Sequence, residues 1–129
     1  MNWWMVAGGT MALVCAAGHA IAGRSMYYRP IKSDLRGELR AAVFTGMWHI
    51  ITINFTLSAI ALIALGAGGH ANAVASLVAA QFAGYAAVYL IVSLRLGGAL
   101  RLFQWMPYGA TAILSASGAI CNALASAQK

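Results

Sequence analysis

Four long apolar segments are the feature that most constrains the fold of this chain. They lie at about residues 3–22, 41–66, 71–94 and 103–125, and the helices that contain them are predicted at about 3–22, 34–66, 71–94 and 103–126. Of the 129 residues, 62% are hydrophobic and only 8% are charged. A helix needs about 20 mainly apolar residues to span the hydrocarbon core of a bilayer, whereas a β-barrel is built from short segments that alternate apolar and polar residues. The sequence therefore predicts a single all-α domain over residues 1–129, a transmembrane four-helix up-down bundle.

The basic residues are concentrated at two of the three connections between these segments. The first connection is strongly basic and the third is flanked by arginines, whereas the second, GAGGHAN, has no formal charge, and its His70 is expected to be solvated. Connections rich in Lys and Arg face the cytoplasm, so we expect a multi-pass protein of the bacterial inner membrane with both termini periplasmic. The side chains expected to meet anionic lipid headgroups are Arg24, Arg29, Lys32, Arg36, Arg40, Arg95 and Arg101.

Residues within the first connection predict where the first two helices end and begin. Pro30 cannot continue a helix from the preceding turn, and Ser33 and Asp34 are residue types that favour the N-cap. We therefore expect the second helix to begin near Asp34. The basic cluster follows the first apolar run, the reverse of a secretory signal, so the first helix is expected to be retained.

Small residues recur at helical spacing in three of the segments. In the third segment Ala75, Ala79, Ala83 and Ala87 follow one another every four residues. Close approach of backbones through small residues is a main source of helix association in lipid, so these stripes predict a tight bundle. We favour contacts within one chain, while a homo-oligomer or a larger membrane complex remains an alternative. Membrane lipids are the expected partners, and the net charge of +6 is explained by topology without nucleic acid.

Two histidines lie inside apolar segments, where an ionisable group is costly and is a functional hypothesis by default. His19 precedes the first basic cluster and His49 follows it, so we expect both in the cytoplasmic half, facing each other inside the bundle. Cys15 and Met11 lie four and eight residues before His19 and share its helix face. The candidate ligand or metal residues are therefore His19, His49, Cys15 and Met11. The expected supporting polar residues are Thr45, Thr52, Gln81, Tyr85 and Gln104.

These residues leave three functions open. The first is a polar ligand-binding site around the two histidines, and the second is a structural or lipid-binding subunit in which the histidines only fix helix packing. The third is a haem or transition-metal protein, because two imidazoles with Met and Cys supply suitable ligands. No carboxylate lies inside any of the apolar segments, and Asp34 is the only aspartate, so neither acid–base nor Ser-His-Asp chemistry can be assembled. The sequence favours a protein that is not an enzyme.

A short pattern links the first two segments: His19-x-x-x-Gly23, then Arg29-Pro30, then Trp48-His49 with Thr52. It resembles a group of small uncharacterised bacterial four-helix integral membrane proteins, in which a histidine ends the first helix and a Trp-His pair opens the second. The resemblance covers about the first half of the chain. That group has an acidic residue after the glycine, where this sequence has Arg24. The resemblance implies the fold and the membrane location, and it implies no activity.

Overall fold

Five α-helices and one π-helical turn make up the fold in a computed structural model, which describes residues 1–68, 71–99 and 102–128. Four of the helical segments in these ranges are long and apolar enough to cross a membrane, which confirms the predicted all-α, four-helix class. The elements are α1 (Trp3–Ala20), a π-helical turn (Arg24–Tyr28), α2 (Arg29–Asp34), α3 (Glu38–Gly68), α4 (Asn72–Arg95) and α5 (Trp105–Ala127).

The first helix continues through the segment where the sequence predicted its end. The π-helical turn joins α1 to α2, so that a helical segment of 32 residues runs from Trp3 to Asp34. Pro30 lies in the first turn of α2, where a missing N–H costs little, and the N–H of Arg29 bonds to the carbonyl of Arg24. This longer i→i+5 spacing widens the backbone next to the proline ring. The predicted break at Pro30 is therefore wrong.

The break between the first two spans lies after Asp34 instead. Leu35 is extended, and Gly37 has φ +93°, a left-handed conformation that glycine adopts without a steric penalty. The second span, α3, then begins at Glu38 and runs for 31 residues. The predicted start near Asp34 is four residues too early, because Ser33 uses its hydroxyl to donate to the carbonyl of Pro30 and caps no helix start.

The helices pack in the spatial order α3, α1, α5, α4. α1 packs on both α3 and α5, and α4 packs mainly on α5, whereas α3 and α4 meet over a much smaller surface. Short connections predicted that consecutive spans are close neighbours. The structure agrees with that expectation for α1 with α3 and for α4 with α5, which pack over large surfaces. The consecutive spans α3 and α4 share only a small contact surface.

The half of the bundle around the start of α1 is closely packed through glycine. A Cβ added to Gly8 would lie 2.9 Å from the Oγ of Ser115 on α5, and one added to Gly66 on α3 would lie 2.6 Å from Cγ2 of Val6. Real Cβ contacts are longer than this, so the backbones of α1, α3 and α5 approach as closely as glycine permits. This is the small-residue packing typical of membrane helices.

The alanine stripe of α4 is buried along only half of its length. Ala75 and Ala79 are buried, whereas Ala83 and Ala87 are exposed. Contacts inside one chain therefore account for the first half of the stripe. A seam between copies along its second half stays a prediction.

Aromatic side chains fill the middle of the bundle beyond this closely packed half. The rings of Phe55, Phe82, Tyr85 and Tyr108 all contact one another, with centroids 5.4 to 6.1 Å apart. Most of these pairs are tilted or edge-on, the geometry that aromatic quadrupoles favour. Large side chains from α3, α4 and α5 thus fill this part of the core in place of glycines and alanines.

Candidate functional site

The imidazole of His19, near the end of α1, stacks on the indole of Trp48 from α3. The ring centroids are 3.9 Å apart and the planes differ by 22°. The Nε2 atom of His19 lies 3.2 Å from the backbone oxygen of Trp48. Because a carbonyl only accepts, Nε2 must carry the proton and donate. The hydroxyl of Thr52 donates to the same oxygen at 3.2 Å, and Phe55 meets the imidazole edge-on at 5.9 Å.

Gly23 provides the space that the indole occupies. A Cβ at this position would lie 3.0 Å and 3.2 Å from two atoms of the Trp48 ring. Gly23 follows His19 by four residues and therefore lies on the same face of the helical segment. Three residues of the sequence pattern, His19, Gly23 and Trp48, thus form a single contact between the first two spans.

The side chain of His49 is exposed. Successive residues of an α-helix are rotated by about 100°, so when Trp48 faces α1, the next residue is turned towards the outer surface of α3. The prediction that His49 faces the bundle interior opposite His19 is therefore wrong. The larger indole, and not the second imidazole, fills the interface.

Cys15 and Met11 lie on α1 in the turns before His19. Cys15 is buried in the core, 6% exposed, and Met11 is half-buried. In the part of the chain that the structure describes, no group of three or more His, Cys, Asp or Glu residues is arranged to hold a metal ion.

A polar and aromatic cluster continues from Trp48 towards the basic connection. The ring of Tyr28 lies 5.2 Å from that of Trp48, and its hydroxyl is 3.0 Å from Oγ1 of Thr45. Since Thr45 donates to the backbone oxygen of Ala41 at 2.8 Å, Tyr28 donates to Thr45. Lys32 completes the chain of hydrogen bonds by donating to the Tyr28 hydroxyl at 3.2 Å.

The other three supporting residues have partners away from the histidines. Gln81 donates to Oδ1 of Asn54 across α3 and α4, and the hydroxyl of Tyr85 donates to the same atom at 3.4 Å. Gln104 donates to the hydroxyl of Tyr27 at 3.0 Å, while its own Oε1 is buried without a partner among the described residues. Within the ranges that the structure describes, Thr52 is the only one of the five supporting residues that shares a hydrogen-bond acceptor with His19.

The predicted headgroup-binding cations are exposed wherever the structure describes them. Two residues named from the sequence, Arg101 and His70, lie outside the described ranges. The exposed cations are Arg24, Arg29, Lys32, Arg36, Arg40 and Arg95.

Sequence reasoning missed a polar clamp at the opposite end of the bundle. The side chain of Asn2 caps α1 by accepting from two backbone N–H groups of its first turn at 3.1 and 3.3 Å. Its amide also donates to the backbone oxygen of Gly118 at 2.7 Å and to Oδ1 of Asn122 at 2.8 Å. An asparagine directly before an apolar helix is an N-cap signal, and this signal could have identified Asn2.

The geometry gives His19 a packing role, since one ring nitrogen and one ring face are both engaged with Trp48.

Comparisons of this chain with protein-family models, with curated proteins and with solved structures give no match.

Proposed function

We propose that this protein is a structural or lipid-binding subunit of the bacterial inner membrane, in which His19 fixes the packing of the first two spans. The observation that carries the proposal is the contact of the His19 Nε2 with the Trp48 carbonyl at 3.2 Å, together with the stacked rings. A protonated nitrogen has no lone pair for a metal. Ligation of haem or a transition metal through Nε2 would have to break this hydrogen bond and move the ring.

The distribution of aromatic and basic side chains supports a membrane orientation with both termini periplasmic. Trp3 and Trp4 are 66% and 51% exposed at the start of α1, as expected for residues of an interfacial aromatic belt. The basic cluster lies at the other end of this helical segment. Connections rich in Lys and Arg face the cytoplasm, so the basic end of the bundle is assigned to that side.

The same orientation gives His49 a physical reason for being exposed. Gly66 is held against Asn2 and so marks the periplasmic interface on α3. A hydrocarbon core of about 30 Å corresponds to roughly 20 helical residues, which places the cytoplasmic interface near Gly46. His49 then lies about one turn below it, where water and lipid ester groups are within reach of a side chain that extends towards the interface.

Spectroscopy and metal analysis of protein purified in mild detergent test this proposal. We expect neither a Soret band nor stoichiometric metal. We also expect His19→Ala to lower the free energy of unfolding by about 1–3 kcal/mol, because the substitution removes a hydrogen bond and an aromatic contact. His49→Ala is the matched control and should change stability by less than about 0.5 kcal/mol, as for other surface substitutions. A Soret band or bound metal that disappears in the His19 variant would overturn the packing role.

A further inference from the structure

We propose that the start of α3 forms a binding site for an anionic phospholipid, with Arg40 on the phosphate and an adjacent apolar groove on the acyl chain. The site deepens the function proposed above, because it rests on the same placement of the chain in the membrane. It assigns a lipid class and a position to what would otherwise be general attraction between a basic surface and a membrane.

The groove has a volume of about 370 Å³ and is lined by Leu35, Leu39, Arg40, Val43, Phe44 and Met47. Leu39, Val43 and Met47 follow one another every four residues and therefore line one face of the helix. Their side chains are 77%, 54% and 58% exposed. Along α3 the distance from Val43 to Met47 is about 6 Å at 1.5 Å per residue, which accommodates the first methylenes of an acyl chain.

One cationic side chain lines this apolar groove and a second lies near it. Arg40 belongs to the lining itself. Phe44, another residue of the lining, stacks on Tyr28 with ring centroids 5.7 Å apart, and the amino group of Lys32 lies 5.4 Å from the centroid of the Tyr28 ring. The acidic residues of the first connection, Asp34 and Glu38, are outnumbered by its basic residues, so the segment that leads into the groove has a net positive charge.

The expected membrane depth matches the two parts of a phospholipid. If the cytoplasmic interface lies near Gly46, Arg40 is about 9 Å further out at 1.5 Å per residue, within the headgroup layer. Met47 then lies at the top of the hydrocarbon core. Val43, Phe44 and Met47 then lie between about 4.5 Å outside and about 1.5 Å inside that interface, at the depth of the glycerol backbone and the first methylenes of the acyl chains. Leu35 and Leu39 lie at or beyond the depth of the phosphate.

Charge complementarity favours a lipid over a second copy of this chain. A second copy seated on this groove would bring its own basic connection close to Arg40 and Lys32, and like charges repel. An anionic phospholipid carries the opposite charge on a headgroup attached to an apolar chain. Basic residues at the cytoplasmic interface are attracted to such lipids by about 1 kcal/mol each.

Titration with defined lipids tests the site on the intact protein. The purified protein in mild detergent is titrated with dioleoyl phosphatidylglycerol or with dioleoyl phosphatidylcholine, and bound lipid is counted by native mass spectrometry. We expect dioleoyl phosphatidylglycerol to bind more tightly than dioleoyl phosphatidylcholine. Arg40→Gln should weaken binding of phosphatidylglycerol about fivefold, the equivalent of one interfacial charge, whereas the control Arg40→Lys, which keeps the positive charge, should weaken it less.

A second pair of variants tests the groove separately from the charge. Val43→Trp fills the groove and should weaken binding of phosphatidylglycerol, whereas Ile60→Trp places the same ring at an exposed position elsewhere on α3 and should leave binding unchanged. Equal binding of the two lipids by the unmodified protein, or undiminished binding of phosphatidylglycerol by Arg40→Gln, would overturn the site. A dimer that Val43→Trp dissociates would assign the groove to a second copy and would also overturn it.

The two proposals fail in different ways. A Soret band or stoichiometric metal that is lost in His19→Ala would contradict the packing role of His19 whichever lipid binds. Absence of any preference for phosphatidylglycerol in a colourless, metal-free protein would contradict the lipid site alone.

Discussion

The backbone N–H of Asn2 donates to the carbonyl oxygen of Gly66 at 2.7 Å, and this hydrogen bond ties the start of α1 to the end of α3. The contact depends on the absence of a side chain at Gly66, because a Cβ there would lie 2.9 Å from the backbone oxygen of Asn2. The side chain of Asn2 extends the same junction to α5. One residue therefore connects three spans at a single end of the bundle.

Gly66→Ala should destabilise the protein, because the new methyl group would meet Val6 and the Asn2 backbone. We expect a loss of about 1–3 kcal/mol, the usual cost of overpacking, measured by thermal unfolding in detergent. Gly84→Ala is the control, since nothing lies within 4 Å of its added Cβ, and its stability should be equal to or up to about 1 kcal/mol above that of the parent. Equal effects of the two substitutions would contradict the close approach.

Asn2→Ala and Asn2→Ser separate the two roles of the Asn2 side chain. Serine can still cap α1 but cannot donate to Gly118 and Asn122 as the amide does. We expect stability to fall in the order parent, Asn2→Ser, Asn2→Ala, with about 1 kcal/mol between the last two for the cap. If chemical denaturation gives both variants the stability of the parent, the clamp makes no contribution.

Ala79→Leu and Ala83→Leu test which part of the alanine stripe packs inside the chain. Ala79 is 8% exposed and Ala83 is exposed. The first substitution should lower the unfolding temperature, because overpacking a helix interface costs about 1–3 kcal/mol, and the second should leave it unchanged. A loss of a dimer on size-exclusion chromatography in Ala83→Leu alone would instead identify the exposed half as a seam between copies.

The four long apolar helices could be predicted because the length of an apolar run is a property of each segment alone. The orientation of a given residue could not, since it depends on which neighbour fills the interface best. Trp48 and His49 are adjacent in sequence, and either could have faced α1. Gly23 leaves room for an indole, and His19 can stack on that ring and donate to its backbone at once. Two histidines in an apolar sequence therefore suggested a pair facing each other inside the bundle, whereas the side chain of His49 is exposed.

The end of the first helix was predicted wrongly for a similar reason. Proline excludes a regular α-helical continuation, but a change to i→i+5 hydrogen bonding just before Pro30 removes the conflict. No periodicity in the sequence reports such a turn. The polar contact of Asn54 with Gln81 likewise depends on the rotation of α3 and α4 about their axes, which side-chain composition does not determine.

The membrane orientation can be tested by cysteine labelling in a Cys121→Ser background, which removes the exposed native thiol and keeps the buried Cys15. Two cysteines are placed at exposed positions of the uncharged connection, Ala67→Cys and Ala71→Cys. Two more are placed at exposed positions of the basic connection, Met26→Cys and Ile31→Cys. Because basic connections are retained in the cytoplasm, we expect a membrane-impermeant maleimide added to spheroplasts to label the first pair and not the second. Permeabilised cells are the control, in which all four should react. Labelling of the basic connection alone in intact spheroplasts would reverse the topology and would move the proposed lipid site to the periplasmic leaflet.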